Sequence, residues 1–401
     1  MKILFVCQYF YPEVFRGNDI AFHWARKGHD VHVVCGIPNY PHGKFYNGYG
    51  LFTKHKETIN GVRVTRLPIF PRGNNKIMLM LNYFSYFVVA WIYILFHAIG
   101  HKYDRVFVQQ LSPVMMSAPG VLYKQLRGVP LYTWVLDLWP ESLTAAGGIG
   151  NKWVLAFFKQ FVKNQYKHSD KILISSRSFE KSIMEYGDYK DKIIFYPQWA
   201  DGDVGVVNVP TDIPIIPNGF KLMFAGAVGE AHGFDCTMEA TLLTKEHKDI
   251  KWLIVGDGRK LEWVNEYIKK NGLEDTVFTL GRYPADMMPW FFCQADVMLV
   301  TLNDDPLFSL YAPAKIASYM AAGKPVIAVL NGEGAEIVRE ADCGWTLVAG
   351  DAKGFAELVI KLSRMDVSIL KKKGENARRY YEGHFLKEKC LKKLDDMMDV
   401  N

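Results

Sequence analysis

Short apolar, β-branched runs alternate with helix-length segments from one end of this sequence to the other. In the first half the runs are Lys2–Phe10, Asp30–Pro38, Val62–Ile69, Arg105–Gln109, Leu131–Leu138, Lys171–Ser175 and Lys192–Tyr196. In the second they are Lys221–Val228, Lys251–Gly256, Thr276–Gly281, Val297–Leu302, Pro325–Leu330 and Gly344–Val348. Near-continuous apolar strands separated by amphipathic stretches predict parallel sheets covered on both faces. Two such series predict an α/β chain of two domains, 1–198 and 199–379. The stretch from Pro197 through Pro210, Pro214 and Pro217 is rich in Pro, Gly and Asp and reads as a hinge. The charged tail is helical in pattern, and helix 380–401 is expected to pack back on the first domain.

Composition narrows the function classes. With 49% hydrophobic and 22% charged residues, the 401-residue chain has material for real cores, which excludes disorder. The six cysteines (Cys7, Cys35, Cys236, Cys293, Cys343, Cys390) are scattered without metal-ligand spacing. They fit neither a disulfide scaffold nor a Cys-type zinc site, and they suit a reducing compartment. The apolar start, Met1 to Val6, is interrupted by Gln8, Pro12 and Glu13 and reads as a first strand rather than a leader. The net charge of +6 divides unevenly: residues 1–200 carry 24 Lys+Arg against 12 Asp+Glu, whereas the remainder is acidic. A basic first half suits nucleic acid, anionic lipid or a phosphorylated substrate, or is simply a solvated surface.

One segment breaks the pattern. Residues 77–101 contain no Asp, Glu, Lys or Arg and are long enough to span a bilayer, which needs about 20 residues. A single crossing would put strands of one sheet on opposite sides of the membrane. Richness in Tyr, Trp and Phe, with Arg66, Arg72, Lys76, Lys102 and Arg105 flanking, fits an element lying at an anionic membrane interface better. A buried core helix is the alternative.

Ligands in open α/β sheets bind at the carboxyl ends of strands, so the loops there hold the candidate residues. After the first strand comes Gln8–Asp19, with Arg16 and Gly17, lacking the G-x-G-x-x-G of dinucleotide binders. After the second comes a turn-rich aromatic loop with Asn39 and Tyr40. Trp134–Ser142 brings Asp137 and Glu141 to a strand mouth, suited to acid–base work, although Asp137 or Ser142 could equally cap a helix. In the second half, Gly226, Val228, Gly229 and His232 leave one strand, and Gly256, Gly258 and Arg259 the next. Glycines there can let backbone N–H groups approach a phosphate. The stretch Ala312–Ala328 is the most informative. Pro313 suits a helix start and Gly323 its end, which puts Lys315 in the first turn, where a cation opposes the helix dipole unless an anion is present. Ser318 lies on the same helix. Gly332 and Glu333 follow at the next strand end, where a carboxylate suits hydroxyl groups.

Taken together, Gln8–Asp19, Ile37–Tyr49, Leu111–Pro113, Asp137–Ser142, Tyr196–Ala200, Pro313–Pro325 and Asn331–Gly334 resemble the GT-B glycosyltransferases of family 4. The closest likeness is to the bacterial surface-polysaccharide branch that includes the O-antigen N-acetyl-L-fucosamine transferases. The resemblance implies two Rossmann-like parallel-sheet domains facing a central cleft, with a nucleotide-sugar donor on the second and a polyprenyl-diphosphate-linked acceptor on the first. It implies retention of anomeric configuration, no cofactor and no metal, and a peripheral protein on the cytoplasmic face of the bacterial inner membrane. Asp137, Glu141 and Lys315 would be catalytic. Gly226, Val228, Gly229, His232, Gly256, Gly258, Arg259, Ser318, Gly332 and Glu333 would join Lys315 in holding UDP-sugar, N-acetyl-L-fucosamine being the first candidate sugar. Arg16, Gly17, Asn39 and Tyr40 would meet the acceptor. Several positions depart from the family. Leu310 and Ser318 stand where two glutamates are usual, Ala227 and His232 where an Arg and a Lys are common, and the usual first-domain His falls near Leu136. A UDP-sugar epimerase and a catalytically silent scaffold of a polysaccharide-assembly complex are the rival readings; no RNA- or DNA-binding motif is present.

Overall fold

The computed structural model describes residues 1–143, 151–200, 208–209 and 212–400. It divides into two compact units, Met1–Tyr196 with Leu391–Asn401, and Pro197–Cys390. Of the expected hinge, 201–207 and 210–211 lie outside the described residues.

The first unit is built on one eight-stranded sheet of order β3-β4-β2-β1-β5-β6-β7-β8. Its strands are β1 (Lys2–Val6), β2 (Asp30–Gly36), β3 (Lys56–Ile59), β4 (Val62–Leu67), β5 (Arg105–Gln110), β6 (Leu131–Val135), β7 (Lys171–Ile174) and β8 (Ile193–Phe195). All neighbours are parallel except β3, which returns antiparallel along β4. Lys-Glu-Thr-Ile in β3 has no apolar run because it forms a half-exposed edge, so the periodicity that marks the other strands is missing. Several expected runs also overshoot. Gln8–Phe10 and Leu136–Leu138 are buried loops beyond the strand ends, where an apolar sequence cannot tell strand from enclosed coil. Helices α1 (Arg16–Arg26), α2 (Lys76–Gly100), α3 (Ala118–Arg127), α4 (Lys152–His168) and α5 (Phe179–Met184) complete the unit.

The second unit carries a six-stranded, all-parallel sheet of order β11-β10-β9-β12-β13-β14. Its strands are β9 (Phe220–Ala225), β10 (Ile250–Val255), β11 (Val277–Gly281), β12 (Val297–Thr301), β13 (Val326–Val329) and β14 (Gly344–Leu347). Two apolar layers sandwich it, one around Met223, Leu253, Val300 and Tyr319 and the other around Leu222, Trp252, Leu299 and Phe355. The helices are α6 (Phe234–Leu243), α7 (Leu261–Asn271), α8 (Met288–Gln294), α9 (Ala314–Ala321), α10 (Glu333–Glu340), α11 (Ala352–Ser363) and α12 (Val367–His384).

The tail requires a correction. Helix α12 buries Leu370, Ala377 and Tyr381 in the second unit, so only the stretch from Leu391 belongs to the first. There α13 (Lys387–Met398) carries Asp395, whose carboxylate accepts from Trp24 Nε1 at 2.9 Å and Lys27 Nζ at 3.1 Å. Both helices are amphipathic, and the sequence gives no sign of which core each stripe meets.

Helix α2 is neither enclosed nor free. Asn82, Tyr86, Ala90, Ile94 and Ala98, four residues apart on one face, are buried, and Tyr86 Oη donates to Cys7 O at 2.8 Å. The opposite face leaves Ile77 71%, Phe96 66% and Ile99 77% exposed. Helix α4 meets it through Phe161 on Phe87, with ring centroids 5.6 Å apart, and adds exposed Trp153 and Phe157. Helix α4 bears Lys152, Lys159, Lys163 and Lys167 and no acidic residue.

Candidate functional site

In the second unit the site is set by how α9 docks on the end of β9. Pro313 is the N-cap residue and Gly323, at φ +64°, lies just past the C-cap. Tyr319 on the buried side of α9 donates from Oη to Ala225 O and accepts from Ala225 N, both at 3.0 Å. Lys315, one turn earlier on the same face, is thereby laid over the strand end. Its Nζ stands 3.9 Å from the centroid of the Phe224 ring, and a Cβ at Gly226 would lie 3.1 Å from it. A side chain at Gly226 would crowd the ammonium group, and the φ of +143° there favours glycine.

Lys315 Nζ is buried and has no hydrogen-bond partner among the described residues. Burial alone pulls its pKa from 10.5 down to about 7. His232 Nδ1 is likewise buried without a partner, its ring edge-on to Phe224 at 5.8 Å. Burial, and then the charge on Lys315, lower the imidazole to about 4, so it is neutral. The turn bearing it is held rigidly. Thr301 Oγ1 donates to His232 O at 2.6 Å, and Asn303 Nδ2 donates to Glu230 O at 2.6 Å. Two buried nitrogen groups without partners are costly in a native fold, and they mark a place where a ligand's acceptor atoms would be welcome.

The glycine turns serve a different purpose from the one expected. Gly226 N–H donates to Val255 O and Val228 N–H to Asp257 O, both at 2.9 Å. These amides brace the β9 and β10 loops against each other and are not open to a phosphate. A Cβ at Gly256 would lie 1.8 Å from Gly226 O, and one at Gly258 2.3 Å from Val228 O, so both glycines serve close backbone packing. Val228 is fully buried core, and Arg259 is exposed. Gly229 starts the short turn to His232, and its carbonyl accepts that residue's N–H. Gly332, at φ +73°, precedes α10 where a Cβ would meet Ser309 O at 1.9 Å. Glu333 opens α10 and is buried, and Ser318 is half-buried on α9. Of the candidates for the donor, then, Lys315, Gly226, Gly229 and His232 converge on one spot.

In the first unit the loops after β1, β2, β5 and β6 form a carboxylate-rich network. Tyr11–Pro12, Tyr40–Pro41, Ser112–Pro113 and Trp139–Pro140 are its cis peptide bonds. Asp137 accepts from the hydroxyls of Ser112 and Ser142 and, at 3.2 Å, from Trp139 Nε1. Glu141 receives Tyr186 Oη at 3.4 Å, and burial pushes its carboxyl above the usual range. Glu13 joins this network, with no local signal in the sequence beyond its interruption of the apolar start. It is buried and accepts from the N–H groups of Asn39 at 2.8 Å, Tyr40 at 2.7 Å and Phe10 at 3.2 Å, locking the first loop to the second. Burial outweighs those hydrogen bonds and raises it to about 7.

That network changes the reading of the acceptor loop. Asn39 is fully buried, donates from Nδ2 to Ile37 O and accepts Arg72 N–H on Oδ1. It is a bracket between loops, with no face for a substrate. Gly17 packs α1 on the sheet, where a Cβ would run into the Gln109 side chain. Tyr40 is half-exposed among Tyr9, Phe15 and Arg72, and Arg16 opens α1.

Comparison with known proteins agrees with this architecture. Residues 17–199 match the family model "Glycosyl transferase 4-like domain" and residues 219–365 "Glycosyl transferases group 1", together about four-fifths of the chain. The Pseudomonas aeruginosa protein WbjE, named a probable glycosyltransferase, is 28% identical over 75% of this chain and 76% of its own. WcaI of Escherichia coli (strain K12), named for colanic acid biosynthesis, is 24% identical over 75% of each. Anabaena HepE, solved in complex with UDP, shares the fold at a TM-score of 0.69 with 14% identity over all of both chains. Two parallel-sheet α/β domains, each matched by a glycosyltransferase model, make this chain a GT-B glycosyltransferase.

Proposed function

We propose that the protein is a retaining glycosyltransferase of surface-polysaccharide synthesis. It takes an N-acetylated sugar, N-acetyl-L-fucosamine being the first candidate, from UDP to a polyprenyl-diphosphate-linked acceptor. The observation that carries this reading is the buried, partnerless ammonium of Lys315 beside His232 Nδ1 at the end of β9. The naming of WcaI for colanic acid biosynthesis and the UDP complex of HepE support the pathway class and the nucleotide.

In the proposed reaction the bond between the anomeric carbon and the diphosphate oxygen breaks, and its electron pair goes to that oxygen. The acceptor hydroxyl bonds to the anomeric carbon on the same face, and its proton passes to the departing phosphate. Lys315 and the first-turn amides of α9 stabilise the charge on the leaving group, and His232 Nδ1–H, in that tautomer, donates to a further oxygen. A ligand anion also restores the charged form of Lys315, which burial disfavours. Asp137, fixed by two hydroxyls and an indole, orients the acceptor hydroxyl. No step uses a metal.

The same reading makes the protein peripheral at the cytoplasmic face of an anionic membrane. The exposed apolar face of α2 would enter the interface and the lysines of α4 would meet the lipid charge. Flotation with phosphatidylglycerol vesicles should retain the protein at low salt and release it at high salt; indifference to lipid charge would refute that attachment.

Thermal unfolding with UDP, GDP, ADP and NAD, with and without EDTA, tests the donor assignment. Selective stabilisation by UDP, insensitive to EDTA and approaching about 2.7 kcal/mol at about 100 times the dissociation constant, is expected. No response to any nucleotide would overturn it. UDP binding without transfer to any acceptor would favour a silent scaffold.

A further inference from the structure

Two arginines of the first unit, Arg66 and Arg72, differ in how their charge is met. Arg66 is fully buried and neutralised, with Nε donating to Glu57 Oε1 at 2.7 Å and Nη2 to Tyr11 O at 2.6 Å. Arg72 has no carboxylate among the described residues. Its Nη1 donates to Tyr9 Oη at 3.0 Å and Tyr83 Oη at 3.1 Å, both neutral groups. The guanidinium carbon lies 5.4 Å from the centroid of the Tyr40 ring and 5.6 Å from that of Tyr83. Neither Nε nor Nη2 donates to any described group.

The backbone that carries this side chain is also held in place. Arg72 N–H donates to Asn39 Oδ1 at 2.9 Å and Gly73 N–H to Gly43 O at 2.9 Å, which ties this loop to the one after β2. Immediately beyond it α2 begins at its N-cap Asn75, with no acidic residue in its first turn. After exposed Lys76, the exposed side chains of its first turns, Ile77, Met80, Leu81 and Phe84, are all apolar. A fixed guanidinium with open donors, walled by tyrosines and opening onto an apolar helix face, recognises a phosphoryl anion attached to a hydrocarbon.

We propose that Arg72, with Tyr9, Tyr40 and Tyr83, holds the diphosphate of the lipid-linked acceptor, whose hydrocarbon leaves along the exposed face of α2. This rests on the acceptor named under the proposed function. The phosphoryl group could belong instead to a bilayer phospholipid or to a free anion, so the test separates these sources. Full-length protein in neutral detergent is titrated with farnesyl diphosphate, farnesol, phosphatidylglycerol and inorganic pyrophosphate, as wild type, Arg72→Met and Arg72→Lys. Arg72→Met should weaken farnesyl diphosphate about 10- to 100-fold. Arg72→Lys should weaken it less, and farnesol binding should be unchanged in both. The UDP melting shift, which reports on the second unit, should be retained in both variants, and the unchanged farnesol binding shows that the first unit is folded.

Unchanged farnesyl diphosphate affinity in Arg72→Met would overturn the proposal. So would an equal loss for phosphatidylglycerol, which would make Arg72 a bilayer contact, or pyrophosphate binding as tight as that of farnesyl diphosphate. A wild type that ignores UDP yet binds farnesyl diphosphate through Arg72 would refute the transferase reading and leave this subsite standing.

Discussion

The two sheets present opposite chemistry at their carboxyl ends. In the first unit the strand ends gather carboxyl groups. Asp137 is held by hydroxyls and an indole, Glu141 is raised by burial, and Glu13 is buried under three backbone N–H donors. In the second unit the strand end gathers nitrogen, with Lys315 and His232 partnerless around the Phe224 ring. Burial acts on both and pushes each toward neutrality, Glu13 up and Lys315 down, to about 7 in each case. The difference lies in satisfaction. The carboxylates of Asp137 and Glu13 are served by their own chain, whereas the ammonium has no partner among the described residues. On the proposed reading, the served carboxylates shape the acceptor site and the unserved ammonium meets the donor's diphosphate.

If that contrast is sound, the largest effect belongs to Lys315→Met. Turnover should fall by roughly 10²–10³ with the fold intact. The wild type should gain stability as pH rises from about 7 to 10.5, because in that window the unfolded chain holds a proton that the folded Lys315 has lost. The variant should lose that gain; a variant with normal turnover would break the contrast outright. Asp137→Asn should lower turnover by roughly 10²-fold at most, leaving the UDP melting shift untouched, as steady-state kinetics beside a thermal scan would show. Loss of UDP binding there would mean that the two edges do not divide the work. The smallest effect is that of Glu13→Gln. Between pH 4.5 and about 7 the folded carboxyl keeps a proton that the unfolded one has lost, so wild-type stability should fall as pH rises through that window. Denaturant titrations of Glu13→Gln should show the fall removed, and an unaltered slope would mean that Glu13 is not the group responsible.

The architecture was largely legible because parallel strands buried on both faces advertise themselves as apolar runs. Strand β3 escaped because an edge strand needs no such run, and the allotment of α12 and α13 escaped because a stripe does not name its partner. The place of Lys315 in a first helical turn was legible from Pro313 before it and Gly323 after it. The roles of Gly226, Val228, Gly256 and Gly258 were not, since nothing in the sequence says that the β9 and β10 loops lie side by side and consume each other's amides. Asn39, expected to face a substrate, is buried by pairings with Glu13, Arg72 and Asn82 that the sequence keeps far apart. Phe224 and Tyr319, which place the ammonium, read as ordinary core residues until the helix is seen docked on the strand.

If Lys315 meets the diphosphate, UDP binding must move a proton. Calorimetric titration of UDP at pH 8.5, in buffers of differing ionisation heat, tests it most directly. The free lysine, at about 7, is then mostly neutral, and a bound diphosphate must recharge it. Uptake of about one proton per UDP is expected in the wild type and none in Lys315→Met. UDP bound by the wild type without proton uptake would contradict it.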